Sequence, residues 1–164
     1  MEQQSNAPTP RASNTASPLH LLDRFLAVIK NDDVAPMEKV EIPQNIRREV
    51  LRVANFLFGE ENSPLLDAAI ALLDSLDKST IRFIKAMPSG RSVYIVRGSK
   101  SMEYFCSSKY CSCRSFFERS KQFGKDTVCK HLLATRLAPF LLPSFYTEVV
   151  SDAEFSAFIV NRCT

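Results

Sequence analysis

Apolar side chains recur every three or four residues in three stretches of the first half of the chain, the spacing of amphipathic helices. Two stretches begin with Ser-Pro, at Ser17 and Ser63, a pair suited to capping a helix and forming its first turn. The other ends at Gly59, a typical helix stop. We predict helices over residues 17–30, 45–58 and 63–76, whose inward faces are Leu19, Leu22, Phe25, Leu26 and Ile29; Ile46, Val50, Val53 and Leu57; and Leu66, Ala69, Ile70, Leu73 and Leu76.

From Thr80 onward the apolar period changes to two, which is typical of strands. Residues 81–87 and 92–97 are rich in β-branched and aromatic side chains, and they flank Pro88-Ser89-Gly90-Arg91, which has the composition of a hairpin turn. A third strand is predicted over residues 102–107. The pattern therefore predicts an α+β fold in which N-terminal helices precede a small antiparallel β-meander.

The two ends of the chain have different patterns. Residues 1–16 are rich in Asn, Gln, Ser, Thr, Pro and Ala without periodic apolar positions, so we predict a disordered tail. Pro139 and Pro143 are predicted to break the helix before them. Further on, Ser151 and Glu154 have the spacing of a capping box and predict a short amphipathic helix to about residue 161.

Residues with metal-binding chemistry are concentrated in one short stretch. Cys111, Cys113, Cys129 and His131 form a Cys-x-Cys pair, a fifteen-residue interval and a Cys-x-His pair. Zinc prefers four tetrahedral thiolate and imidazole ligands, and a site in which the protein supplies all four leaves no position for water or substrate. We therefore predict one structural Zn²⁺ bound by these four side chains.

The spacing also predicts how the ion joins two elements. Side chains two residues apart on an extended segment point to the same side, so Cys111 and Cys113 can face one ion from a strand end or a tight turn. The second pair fits a loop that enters a helix, which would close one side of the meander. That helix has an apolar face of Leu132, Leu133 and Leu137. In the basic loop 114–125 the residues expected to pack over the site are Phe116, Phe117 and Phe123.

The remaining cysteines and the second histidine receive simpler interpretations. Cys106 is predicted to be a half-buried strand residue, with a fifth sulfur near the metal as the alternative. Cys163 is predicted to be a free thiol and His20 an exposed helix residue. Five cysteines, three of them in the metal-binding array, and no apolar run near the ~18 residues of a membrane span favour a reducing, intracellular compartment.

An enzymatic function is the weaker interpretation of the same residues. Cys113 or Cys129 could act as a nucleophile with His131 as its base, but metal binding would use all of these groups. The chain has only four glycines, and none forms the Gly-rich loop that cradles phosphates. We therefore expect neither an enzyme nor an ATPase.

Charge is distributed unevenly along the chain. The net charge of +3 consists of −5 over residues 1–77, +10 over residues 78–136 and −2 over the remainder. Clustered positive charge on one module is expected of a surface that contacts phosphates. The candidate nucleic-acid or partner surface consists of Arg91, Arg97, Lys109, Arg114, Arg119, Lys121, Lys125 and Lys130.

Cys-x-Cys followed by Cys-x-His resembles the SWIM zinc-binding domain. Ala134, three residues after the histidine, fits the extended form of this domain in the SWIM proteins of Shu complexes. The segments FLFG, ALLDSLD, PSGR, VYIVRGS, YCSC and CKHLLA also occur here in the order typical of those proteins. The resemblance covers about residues 55–138. It divides the chain into a disordered tail at 1–16, a helical region at 17–77, a SWIM module at 78–138 and a C-terminal helical segment at 139–164.

The resemblance implies a nuclear, non-catalytic subunit of a Shu-type complex. Such subunits pair with a RecA-like recombinase paralogue, promote assembly of the recombinase filament on single-stranded DNA and support homologous recombination and DNA repair. Single-stranded or branched DNA would be contacted through the complex, and no membrane would be bound. Ala134 would be a small residue at a close contact between helices. The alternative is a free-standing, zinc-dependent nucleic-acid-binding module in transcription or transposition.

Overall fold

The computed structural model describes residues 16–31, 42–59, 63–74, 80–98, 102–124, 127–142 and 146–163, which form an α+β fold. These residues contain six α-helices and one four-stranded sheet. No helix among them has both the length and the apolar character needed to cross a membrane. In chain order the elements are α1 (Pro18–Asn31), α2 (Gln44–Phe58), α3 (Ser63–Leu73), β1 (Ile81–Met87), β2 (Ser92–Arg97), β3 (Glu103–Cys106), α4 (Arg114–Phe123), α5 (Lys130–Leu141), β4 (Tyr146–Ser151) and α6 (Asp152–Cys163).

The sheet is mixed, with strand order β3-β2-β1-β4. β1 and β2 form the predicted hairpin, in which Ile84 pairs with Val93, and β3 adds to β2 in antiparallel orientation. The predicted meander is therefore present, but it is not the whole sheet. β4 lies on the other side of β1 and runs parallel to it, with Phe83 paired to Thr147. A parallel pair needs a long crossover, and local sequence periodicity contains no signal for that pairing.

Each face of the sheet packs against a different helical layer. Side chains alternate between faces along a strand, and β2 shows this directly. Val96 belongs to the large core that the sheet shares with α1, α2, α3 and α5, whereas Val93 and Ile95 belong to a smaller core covered by α6. The largest side chains with less than 2% exposure include Leu22, Val50, Ile84, Ile95, Leu132, Leu133 and Leu137.

The three N-terminal helices begin within one residue of their predicted starts, and the predicted end of the third, with the inward Leu76, lies outside the described residues. Ser17 caps α1, since its hydroxyl accepts a hydrogen bond from the backbone N–H of His20 at 3.4 Å. His20 itself is exposed, as predicted. On α2 the fully buried positions are Val50, Ala54 and Phe58, with the predicted Val53 only partly buried. The inward face is thus rotated slightly from the predicted one.

The C-terminal part of the chain differs from the predicted helical segment at 139–164. Its first described element after α5 is β4, which no pattern predicted. The capping box at the start of α6 is confirmed: the Glu154 carboxylate accepts from the Ser151 N–H at 2.8 Å, and the Glu154 N–H donates to the Ser151 hydroxyl at 3.2 Å. Phe155 then turns inward and is 7% exposed.

Helix α5 continues through Pro139, where a break was predicted. Proline removes one backbone hydrogen bond, but Ala138 and Phe140 on either side are buried, and their packing holds the last turn in place. The helix ends before the second proline instead. Leu142 has extended backbone angles, φ −86° and ψ 134°, as expected of a residue that precedes proline.

Candidate metal centre

The four predicted ligand residues converge at one place. The candidate ligand atoms of Cys111, Cys113, Cys129 and His131 all lie within 4.8 Å of one another, and all four residues are buried. The Cys111 Sγ lies 3.9 Å from Nδ1 of His131. In tetrahedral coordination, Zn–S bonds of about 2.3 Å and Zn–N bonds of about 2.0 Å separate neighbouring ligand atoms by roughly 3.5–3.8 Å. The donor set and its spacing therefore suit zinc.

Two of the cysteines sit at helix N-termini. Cys113 is the N-cap of α4, and its sulfur accepts from the backbone N–H of Phe116 at 3.3 Å. Cys129 is the N-cap of α5, and its sulfur accepts from the N–H of Leu132 at 3.5 Å. Free backbone N–H groups and the positive end of the helix dipole both favour a thiolate there. Each Cys therefore also serves as the polar cap that starts its helix.

The sulfurs influence one another's ionisation. The hydrogen bond from Cys111, followed by that from Cys129, holds the pKa of Cys113 well below its usual range. Contact with Cys106 is the main cause that raises the pKa of Cys111, and contact with Cys111 is the main cause that raises that of Cys129. The three thiols therefore titrate as one hydrogen-bonded group.

His131 is oriented by an aromatic neighbour. The Tyr104 ring stacks on the imidazole with centroids 4.3 Å apart and planes inclined at 27°. His131 lies in the first turn of α5, whose next two residues, Leu132 and Leu133, are fully buried. The loop-to-helix placement and the predicted apolar face, including Leu137, are therefore confirmed. Ala134 is also fully buried, on the helix that packs against α3.

Cys106 lies beside the cluster and is completely buried, more deeply than predicted. Its Sγ is 3.4 Å from that of Cys111, and the two residues form an isolated antiparallel bridge. The fifth sulfur therefore contacts one of the four candidate ligands. Cys163 has no described side chain, so its predicted free thiol lies outside the described part of the chain.

One residue that sequence reasoning did not single out ties the site to the N-terminal helices. Arg136 on α5 donates from Nε to the Asp23 carboxylate of α1 at 2.8 Å, and from Nη2 to the carbonyl of Ser108, just before the first cysteine pair. The Arg136 side chain is only 15% exposed. Its partner Asp23 is 113 positions away along the chain, and no local pattern can indicate such a contact.

Comparison with known proteins places these features in a family. The chain is 39% identical over 106 residues to zinc finger SWIM domain-containing protein 7 of Homo sapiens, covering 63% of this chain and 67% of the human protein. It is 32% identical over 118 residues to the Danio rerio protein of the same name, covering 71% of this chain and 77% of the fish protein. The chain belongs to the zinc finger SWIM domain-containing protein 7 family.

Other comparisons add to this assignment. The Mus musculus family member is 38% identical over 95 residues, which is 57% of either chain. No family model matches the sequence, and no solved structure matches it. The order of the sequence motifs indicated a resemblance to a family of SWIM proteins. The relatives and the Cys/His cluster confirm it.

The sequence predicted a loop over residues 114–125. In the structure of this SWIM family member, most of that segment is the helix α4. Cys113 explains the difference, because its side chain caps the helix by accepting a hydrogen bond from a backbone N–H. The polar segment that follows contains few helix-breaking residues. Phe116 packs inward as predicted and is 8% exposed. Phe117 does not, since it is 62% exposed. The Phe123 side chain lies outside the described residues.

The structure divides the predicted basic surface of this SWIM protein. Arg91 pairs with Asp152 at 3.3 Å and lies over the Phe155 ring at 5.3 Å, so it joins the β1–β2 hairpin to α6. Arg97 is half-buried at the end of β2. Lys125 lies outside the described residues. The predicted residues that are exposed and lie outside the hairpin are Lys109, Arg114, Arg119, Lys121 and Lys130.

A groove of about 610 Å³ opens beside the metal centre, between β3 and α4. Two large aromatic side chains at its rim are unusually open to solvent: Tyr110 is 55% and Phe117 62% exposed. Lys121 lies over the Phe117 ring at 4.5 Å from its centroid, and Arg114 also lines the groove. The SWIM module therefore combines cationic and aromatic groups on one face of α4.

We expect Gly98→Ala to weaken metal binding without removing any ligand. A Cβ at Gly98 would lie 2.6 Å from Cε2 of Tyr104, whose ring stacks on His131. Displacing a group that orients a ligand typically lowers metal affinity about 10-fold or more. Competition with a zinc-chelating dye would measure the loss.

A double-mutant cycle tests the cause of that loss. In a Tyr104→Ala background the added methyl group meets no ring, so Gly98→Ala should have little further effect. Equal losses of affinity in both backgrounds would show that the clash with Tyr104 is not the cause.

Proposed function

We propose that Cys111, Cys113, Cys129 and His131 bind one structural zinc ion. The observation that carries this proposal is a closed, buried set of four donors whose ligand atoms lie within 4.8 Å of one another. Bound zinc would link the strand end at Cys111 to the starts of α4 and α5. Because all four ligands come from the chain, the ion would stabilise the fold and would not activate water or substrate.

The same geometry argues against an enzyme. A nucleophilic cysteine needs a base within hydrogen-bond reach and an approach for substrate. Here the candidate nucleophiles Cys113 and Cys129 are 3% and 2% exposed, and both sulfurs are engaged by backbone N–H groups of their own helices. We propose a non-catalytic protein, and a partner would supply any nucleotide hydrolysis.

We further propose that the protein is a nuclear subunit of a Shu-type complex. In this role it pairs with a RecA-like recombinase paralogue and promotes assembly or stability of the recombinase filament on single-stranded DNA, in homologous recombination and DNA repair. Membership in the zinc finger SWIM domain-containing protein 7 family supports this role through the resemblance of the motifs to Shu-complex SWIM proteins.

The exposed cations support contact with DNA within that complex. Arg114, Phe117 and Lys121 occupy positions i, i+3 and i+7 of α4 and so share one face. Neighbouring Lys109 and Arg119 are also exposed. Cations that track phosphates beside aromatic rings that stack on bases are a common arrangement for binding single strands. We assign this face of α4 to DNA contact and Arg91 to holding the hairpin against α6.

Co-purification tests the proposed complex. Wild-type protein, His131→Ala and the matched control His20→Ala would be recovered from native cells at moderate salt, and co-purifying chains identified by mass spectrometry. A RecA-like paralogue should accompany wild type and the exposed-histidine control but be lost with His131→Ala. Recovery of only chromatin or transposon factors would favour the alternative, a free-standing nucleic-acid-binding module in transcription or transposition.

A further inference from the structure

Cys106 has a position that the four-ligand site does not explain. Its Sγ lies 3.4 Å from the Cys111 Sγ, while the four ligand residues are complete without it. Cys106 and Cys111 are 0% and 1% exposed. Two buried sulfurs in contact, one of them a proposed metal ligand, are placed for thiol chemistry that competes with metal binding.

The backbone around the two cysteines suits a disulfide. The N–H of Ser112 donates to the Phe105 carbonyl and the N–H of Ser107 donates to the Tyr110 carbonyl, each at 2.9 Å. These bonds flank Cys106 and Cys111, which are therefore a non-hydrogen-bonded antiparallel pair, the kind with the closer side chains. The sulfurs need to approach by about 1.4 Å to reach an S–S bond of about 2.0 Å.

A small oxidant also has a route to this pair. The groove of about 610 Å³ between β3 and α4 is lined by Cys111 together with Tyr104 and Ser112. Met102 and Tyr110 at its rim are 56% and 55% exposed. Cys106 does not line the groove. Access to the groove therefore favours Cys111 as the sulfur that reacts with the oxidant. Cys106 would then attack the oxidised Cys111 and form the disulfide.

We propose that Cys106 and Cys111 form a peroxide-sensitive disulfide site that releases the metal. The proposal rests on the metal centre proposed above, because oxidation withdraws Cys111 from the ligand set. Three ligands would remain, and they would hold the metal less tightly than four. Reduction of the disulfide would restore the site, so oxidant level would control whether the SWIM module is metal-loaded.

The chemistry is a two-electron oxidation by a hydroperoxide. The Cys111 sulfur attacks one peroxide oxygen, the O–O bond breaks, and the departing hydroxide takes a proton from solvent and leaves as water. The Cys106 sulfur then attacks the sulfur of the resulting Cys111 sulfenic acid. The S–S bond forms, the S–O bond breaks, and the second hydroxide takes the Cys106 thiol proton. The Cys111 thiolate and the Cys106 thiol are oxidised to the disulfide, one proton is taken from solvent, and one hydrogen peroxide is reduced to two waters.

Peptide mapping of the full-length, metal-loaded chain tests the proposal directly. After limiting hydrogen peroxide, non-reducing digestion should yield a Cys106–Cys111 peptide lighter by two hydrogens than its reduced form, and a chelating dye should detect released zinc. Dithiothreitol should reverse both changes when zinc is resupplied. A disulfide found only among Cys111, Cys113 and Cys129 would overturn the proposal. The peptide map is made on the wild-type chain and needs no substitution.

Variants provide the second arm of the test. Cys106→Ala should release zinc at least about fivefold more slowly at the same peroxide dose, because the resolving thiol is missing. Cys106→Ser serves if the alanine variant folds poorly, and Cys163→Ala is the matched cysteine control that should behave as wild type. Zinc release from Cys106→Ala or Cys106→Ser as fast as from wild type would contradict the proposal. A purified chain that lacks metal but still forms the Cys106–Cys111 bond would refute the metal centre and metal release, and would leave only the disulfide itself.

Discussion

His131→Ala is expected to cost the protein its metal and much of the order around α4 and α5. The imidazole is one of four donors in a buried cluster whose ligand atoms lie within 4.8 Å of one another. Structural zinc contributes an apparent 10–16 kcal/mol to small sites at neutral pH, so even a 100-fold loss of affinity would remove about 2.7 kcal/mol of stabilisation by linkage. Cys113→Ser should behave similarly, since it removes a thiolate ligand even though the serine hydroxyl can still cap α4.

Elemental analysis and hydrogen exchange would measure this effect. Wild type should carry zinc after purification and show slow exchange in the first turns of α4 and α5, whereas His131→Ala should show neither. His20→Ala, at the only other histidine, is exposed on α1 and should match wild type in both measurements. The metal centre would be refuted by a wild-type protein without bound metal, or by one that keeps its protected amides after chelation.

Reversing three charges on α4 is expected to weaken DNA binding by the assembled complex at least about tenfold. Arg114, Arg119 and Lys121 are exposed, and two of them share a face with the exposed Phe117 ring. Each cation that contacts a phosphate releases counterions, so its removal should lower the slope of log affinity against log salt by about one unit. Arg114→Glu also sets a like charge beside Glu118, its present ion-pair partner at 2.6 Å, and so slightly weakens the helix.

Fluorescence anisotropy of a labelled oligothymidylate, titrated with the co-purified complex over a salt series, would give both affinity and slope. The matched control reverses three exposed arginines on α1 and α2, at Arg24, Arg48 and Arg52, and so makes the same change in net charge. Equal affinities for wild type and the α4 variant would mean that this face of α4 is only solvated. Equal losses for the α4 variant and its control would indicate a general electrostatic effect.

The sequence by itself determined the features that depend on neighbouring residues. Helical period and Ser-Pro caps placed α1, α2 and α3, and the period of two with Pro88-Ser89-Gly90-Arg91 placed the β1–β2 hairpin. The metal cluster was predictable for a related reason. Cys-x-Cys and Cys-x-His each bring two donors to one side locally, and the chemistry of zinc requires the two pairs to meet.

Only the tertiary structure decided the features that join distant segments. β4 aligns with β1 across a crossover of nearly sixty residues, because the sheet and the packing of α6 create a place for it. Arg136 finds Asp23 on α1, and Phe117 turns outward because Phe116 takes the inward side of α4. Cys106 touches Cys111 because Ser107–Tyr110 folds the chain back on itself after β3. Such contacts depend on long-range packing, which a local pattern of residues does not encode.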